Sequence, residues 1–151
     1  MSSILQTVTT SCKIQLLQAV HNFGPTSPNT FKIALYTANA DLNAATTVYS
    51  TSNEVSSSGT GYTTGGNTLV ISTSPTSGNN QNAVPTAYIS FANTSWASAT
   101  FTARAALIYN FTQGNKSVAV LDFGADKTVT NDTFQIIFPT ADANSAIVRI
   151  S

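Results

Sequence analysis

The chain has 151 residues, six acidic and six basic side chains, and a formal net charge of zero. That length suits one domain around one core, and only 8% of residues are charged, against about a quarter in an ordinary globular chain. No basic stripe argues for nucleic acid and no polybasic segment for an anionic membrane; Ser, Thr and Asn supply the polar character instead.

The opening, MSSILQTVTTSCK, lacks the basic start and continuous apolar stretch of a secretory signal, so synthesis in a cytoplasm is expected. Cys12 is the only cysteine, which excludes an intrachain disulfide. Residues 11–23 (SCKIQLLQAVHNF) predict the one helix: Ile14, Leu17 and Val20 recur at threes, and Leu16 widens the stripe. Ser11 is placed to cap it, and Gly24 and Pro25 to stop it.

After Pro28 the apolar period becomes two. Phe31, Ile33 and Leu35 share one face of a half-buried strand. Residues 37–68 read mostly as a long loop, with a short strand near 47–49; loops of such length usually make contacts or carry function. A short strand at 69–73 and a polar loop at 74–85 follow. Residues 86–91 predict a strand with Ala87, Ile89 and Phe91 inward. Residues 101–110 form the longest expected strand, with Phe101, Ala103, Ala105, Leu107 and Tyr109 on one face. A turn at Gln113-Gly114-Asn115 joins it to a strand at 117–123. Residues 134–138 and 146–150 supply the last two.

The sum is an all-β fold: a single antiparallel β-sandwich or barrel of about 7–8 strands with one short N-terminal helix. Residues 1–28 form an arm and helix, residues 29–151 the antiparallel β domain, and together they make one domain.

Motifs for chemistry are sparse. His21 is the only histidine, so a metal or catalytic role lacks partners. The glycine-rich run at 56–66 (SSSGTGYTTGG) lacks the Lys-Ser/Thr pair and the helix of a phosphate loop. Asp122 and Asp126 flank Phe123-Gly124-Ala125; the spacing is too sparse for a calcium loop and reads as a turn, with a weak cation site as the sharper reading. Five tyrosines and Trp96 offer a binding face or ordinary core. Tyr62 and Trp96, in expected loops, are candidate contact residues, as are Leu16 and Leu17 on the helix. No cofactor and no metal site is expected.

Three stretches carry a family resemblance: TFKIALYTANADLNAATTVYSTSNEVSSSGTGYTTGGNTL, SWASATFTARAALIYN and KSVAVLDFGADKTVTNDTFQIIFPTADANSAIVRIS, together with the front helix ending in HNF. They resemble small structural proteins of the tailed-bacteriophage virion. The resemblance covers nearly the whole chain from Cys12 onward and implies a virion component with an antiparallel β domain. It brings no catalytic residues.

On that resemblance the leading expectation is a capsid decoration or cement protein. It would bind the major capsid protein, stabilise the head shell and self-associate as a homo-oligomer such as a trimer, with no nucleic acid or membrane partner. The alternative is a tail, baseplate or fibre component contacting host surface glycans, with Tyr62, Trp96 and the acceptor-rich polar loops at the sugar. An enzyme such as a polysaccharide depolymerase ranks last, because no constellation of acids stands out.

Overall fold

The computed structural model describes residues 2–151. Its elements in chain order are β1 (Thr7–Val8), α1 (Thr10–Leu17), β2 (Phe31–Tyr36), β3 (Asn67–Leu69), β4 (Ile71–Asn79), β5 (Pro85–Phe91), β6 (Thr94–Asn110), β7 (Lys116–Ile136) and β8 (Val148–Ile150). They form two antiparallel sheets, ordered β1-β7-β6-β2-β3 and β4-β5-β8. The architecture is an all-β sandwich that does not close into a barrel.

The β6–β7 hairpin is its spine. Phe111 to Asn115 make the turn, with Gly114 and Asn115 at positive φ, as the expected Gly-Asn turn requires. β7 runs on to Ile136, so the strand expected separately at 134–138 is the far end of the same strand.

A bulge divides β6. Ala103 pairs with Lys127, whereas Ala105 pairs with Asp122, so residues 123–126 of β7 lie opposite Arg104 alone. Register shifts of this kind move side chains to the other face. Phe101 and Ala103 therefore point into the main core, together with Ala106 and Ile108. Ala105, Leu107 and Tyr109 belong to a second cluster on the opposite face. The alternation over residues 101–110 had placed all five expected residues on one face.

The main core lies between the sheets. Phe31, Ile33 and Leu35 of β2 meet Ile89 and Phe91 of β5, and Phe23 stacks on Phe31 with ring centroids 4.4 Å apart. The other face of β2 is buried too. Ala34 and Tyr36 are covered, with Leu107 and Val120, by Ala40, Leu42 and Tyr49 from the long loop and by Ile4 from the arm. β2 is thus not half-buried, because residues 37–66 form a third layer instead of a free loop.

Other expectations shift for equally local reasons. The first half of the segment expected as a polar loop at 74–85 belongs to strand β4, which is an edge strand. Pro75 fits there because it lies in a register irregularity between Thr73 and Thr76, where no ladder donor is needed. Within β5, Thr86 is buried and Ala87 exposed; only Ile89 and Phe91 of the expected inward set are buried. The short strand expected near residues 47–49 is a single bridge, Val48 to Lys116.

Candidate interaction surface

The helix is anchored at its start and short at its end. Its N-cap is Thr9, not Ser11: Thr9 Oγ1 accepts from the Cys12 amide and lies 2.9 Å from Ser117 Oγ on β7. Thr9 is fully buried, so this cap also fastens the helix to the sheet. Ala19 then turns left-handed at φ 58°, ending the helix before Gly24 is reached. The Ala19 amide donates to the Leu16 carbonyl and the Val20 amide to the Gln15 carbonyl, which together make a Schellman cap.

This placement decides which face is buried. Cys12 enters the core at 0% exposure, and burial pushes its thiol up to about 12, which keeps it protonated and unreactive. The apolar stripe faces the other way. Ile14 is 53% exposed, and Leu17 is 92% exposed. Leu16 sits between, packed against the core margin. Ile150 of β8, at 58% exposure, continues the apolar surface. Between α1 and β8 runs a groove of about 520 Å³ lined by Leu16, Leu17, Val148 and Ile150, with Lys13 and Arg149 among its walls. A second hollow of about 330 Å³ shares Leu16, Val148 and Ile150 and reaches back to His21 and Phe23.

His21 closes the inner end of that second hollow. The Gln113 amide donates to Asn110 Oδ1, which turns Asn110 Nδ2 toward both Asn29 Oδ1 and His21 Nδ1. His21 Nδ1 must accept, so Nε2 carries the proton and donates to Gln15 Oε1 at 2.8 Å. The ring is held neutral, and burial, reinforced by the Lys116 charge, lowers its pKa below the usual histidine value. Its role is to fasten the segment after the helix to β6.

Tyr62 and Trp96 are not surface contacts. Both are core residues, at 3% and 4% exposure. Their rings lie 6.0 Å apart, and Phe101 and Phe134 complete the cluster. The physical reason is the glycine-rich run: at Gly61, whose φ is 75°, a Cβ would meet the Ser98 carbonyl at 2.7 Å. That close approach drops Tyr62 onto the far half of β6. Trp96 Nε1 has no hydrogen-bond partner within this cluster.

Glu54, which no sequence motif singled out, organises the loop layer. Its carboxylate accepts from Tyr49 Oη at 2.8 Å, Tyr62 Oη at 2.6 Å and the Gly65 amide at 2.7 Å. Tyr62 Oη in turn accepts from the Leu35 amide, and Tyr109 Oη donates to the Gly65 carbonyl. Burial, with the neighbouring Glu54 charge, raises the Tyr109 phenol to about 12 and shifts Tyr36, Tyr49 and Tyr62 upward as well. These phenols stay protonated and act as hydrogen-bond donors. A usable signal was present: Glu54 is the chain's only glutamate and lies within the tyrosine-bearing loop. Gly66 seals the same layer, because a Cβ there would lie 1.7 Å from the Ile33 carbonyl.

Asp122 reads as a turn residue. It accepts from the Gly124 amide at 2.8 Å and pairs with Arg104 at 3.1 Å across the bulge. The Gly124 bond, followed by Arg104, holds its carboxyl below the usual aspartate value. Among the described residues no three His, Cys, Asp or Glu side chains gather as a metal site. No helix among them is long and apolar enough to cross a membrane. The geometry thus singles out the α1–β8 face, where apolar side chains lie outward beside two cations. No family model, no curated protein and no solved structure matches this chain.

Proposed function

We propose that this chain is a structural protein of a bacteriophage virion that acts by contact, as a decoration or cement protein on the head shell. The virion setting rests on the resemblance of residues 12–151 to small tailed-phage structural proteins. The contact role rests on one observation: the apolar stripe of α1 faces outward, with Leu17 92% exposed. Exposed leucines singly are ordinary, but a stripe continued by a neighbouring strand marks a surface for docking.

A cement protein stabilises a shell by binding its assembled state, and many copies multiply a modest affinity for each. The major capsid protein is the proposed partner, and self-association into a symmetric oligomer would present several α1–β8 faces at once. For the glycan-contact alternative, Tyr62 and Trp96 are core, so its support comes down to the polar loops.

Imaging of intact particles tests the proposal. Density for this chain tiling the head shell in many copies is expected. A few copies confined to the tail, or none in the particle, would overturn it. Particles assembled with Leu17→Asp are expected to lose most of the bound protein and to break open at lower temperature.

A further inference from the structure

We infer that the groove between α1 and β8 takes an extended, acidic and apolar segment of a partner protein, added as a strand along the free edge of β8. This rests on the contact reading above and names the chemistry of what the surface binds.

The backbone supplies the first argument. β8 ends its sheet and pairs only with β5, through Ala87–Ile150, Tyr88–Arg149 and Ile89–Val148. No backbone hydrogen bond joins its other side to any described residue. Its three residues are regular, without the proline and register shifts that protect the opposite edge, β4. An unpaired, regular edge beside an apolar groove is the geometry that strand addition uses.

Charge supplies the second argument and selects the occupant. Lys13 and Arg149 line the groove, and no acidic side chain does. The one ion pair among the described residues joins Arg104 to Asp122, so neither groove cation has a carboxylate within hydrogen-bonding reach. A second copy docked on this face would set Lys13 and Arg149 against their own counterparts, which like-charge repulsion opposes. A segment with carboxylates on one face and aliphatic side chains on the other satisfies both cations and fills the space beside Leu16, Leu17 and Ile150. β8 is three residues long, so the added strand is about 10 Å of contact. Affinity per site is therefore modest and suits an array of many copies.

The test titrates the full chain with two blocked heptapeptides, followed by amide chemical shifts. One alternates valine with aspartate and glutamate; the other alternates valine with lysine. The acidic probe is expected to bind about tenfold more tightly, with shifts centred on residues 147–151 and on α1. Arg149→Glu is expected to reverse the preference, and Leu17→Asp, at a solvent-facing site, to weaken binding of the acidic probe with the fold's spectrum unchanged. Equal binding of both probes, binding of neither, or an unchanged preference in Arg149→Glu overturns the inference. So does concentration-dependent self-association that Leu17→Asp abolishes, which would make a second copy the occupant. If Leu17→Asp strips the protein from particles while the probes fail, the contact role stands and the strand-addition inference falls. If the probes behave as expected while particle binding is unaffected by Leu17→Asp, the reverse holds.

Discussion

The two faces of the five-stranded sheet are both buried, but by different means. The inner face meets the second sheet and α1 through apolar packing: Phe31, Ile33, Ile108 and Val118 are all within 1% of full burial. The outer face is covered by residues 37–66 and the arm, and its cover is tied down by hydrogen bonds converging on Glu54. Apolar packing is non-directional and tolerates repacking. The bonds that converge on one carboxylate are directional, and the part of the cover they hold loosens locally when that hub is lost.

The sharpest way to break the comparison is at its inner face. Phe31→Ala removes a ring stacked on Phe23 and tilted against Phe91 and is expected to destabilise the whole fold by about 3–5 kcal/mol in denaturant unfolding. Glu54→Ala addresses the outer face. It strands two phenols and an amide, and a cost of about 2–3 kcal/mol is expected. Hydrogen exchange should locate that loss at residues 49–66, with β6 and β7 still protected. Uniform loss of protection would mean that the two faces are one cooperative unit.

The His21 seam gives a smaller effect with a defined sign. Its folded pKa lies below the unfolded value of 6.5, so between those values the unfolded state binds more protons. Stability from this group is fully present above pH 6.5 and is lost as pH falls through the window below it. Thermal midpoints are expected to drop across that window in the native chain and to drop less in His21→Gln. Ala19→Gly is the smallest change and runs the other way. Glycine relieves the left-handed strain at φ 58°, and a gain of about 0.5–1 kcal/mol is expected in the same unfolding measurement.

Much of the fold was legible locally. β2 matches the alternation of FKIALY at both ends, and the Gly-Asn turn set the β6–β7 hairpin. Both signals depend on short-range chemistry: side-chain alternation and tolerance of positive φ. The bulge at Arg104 was not legible, because alternation is blind to three extra residues in the partner strand. The candidate site was half legible. Leu16 and Leu17 were visible as helix positions, but their orientation was not. Tyr62 and Trp96 looked like loop aromatics because nothing nearby in sequence shows which distant backbone they pack against.

Composition and periodicity by themselves determined an all-β chain with one helix, one cysteine without an intrachain disulfide partner, and a surface kept polar by hydroxyls and amides. Those properties follow from residue types and neighbours two to four positions apart. Tertiary structure alone decided which side of α1 is buried, since that depends on Thr9 binding Ser117, 108 residues away. It likewise turned the long loop into a layer, because Glu54, Tyr49 and Tyr62 converge only once β2 and β6 are in place. Long-range contacts of this kind leave no period in the chain, and they are what placed Leu17 in solvent and Trp96 in the core.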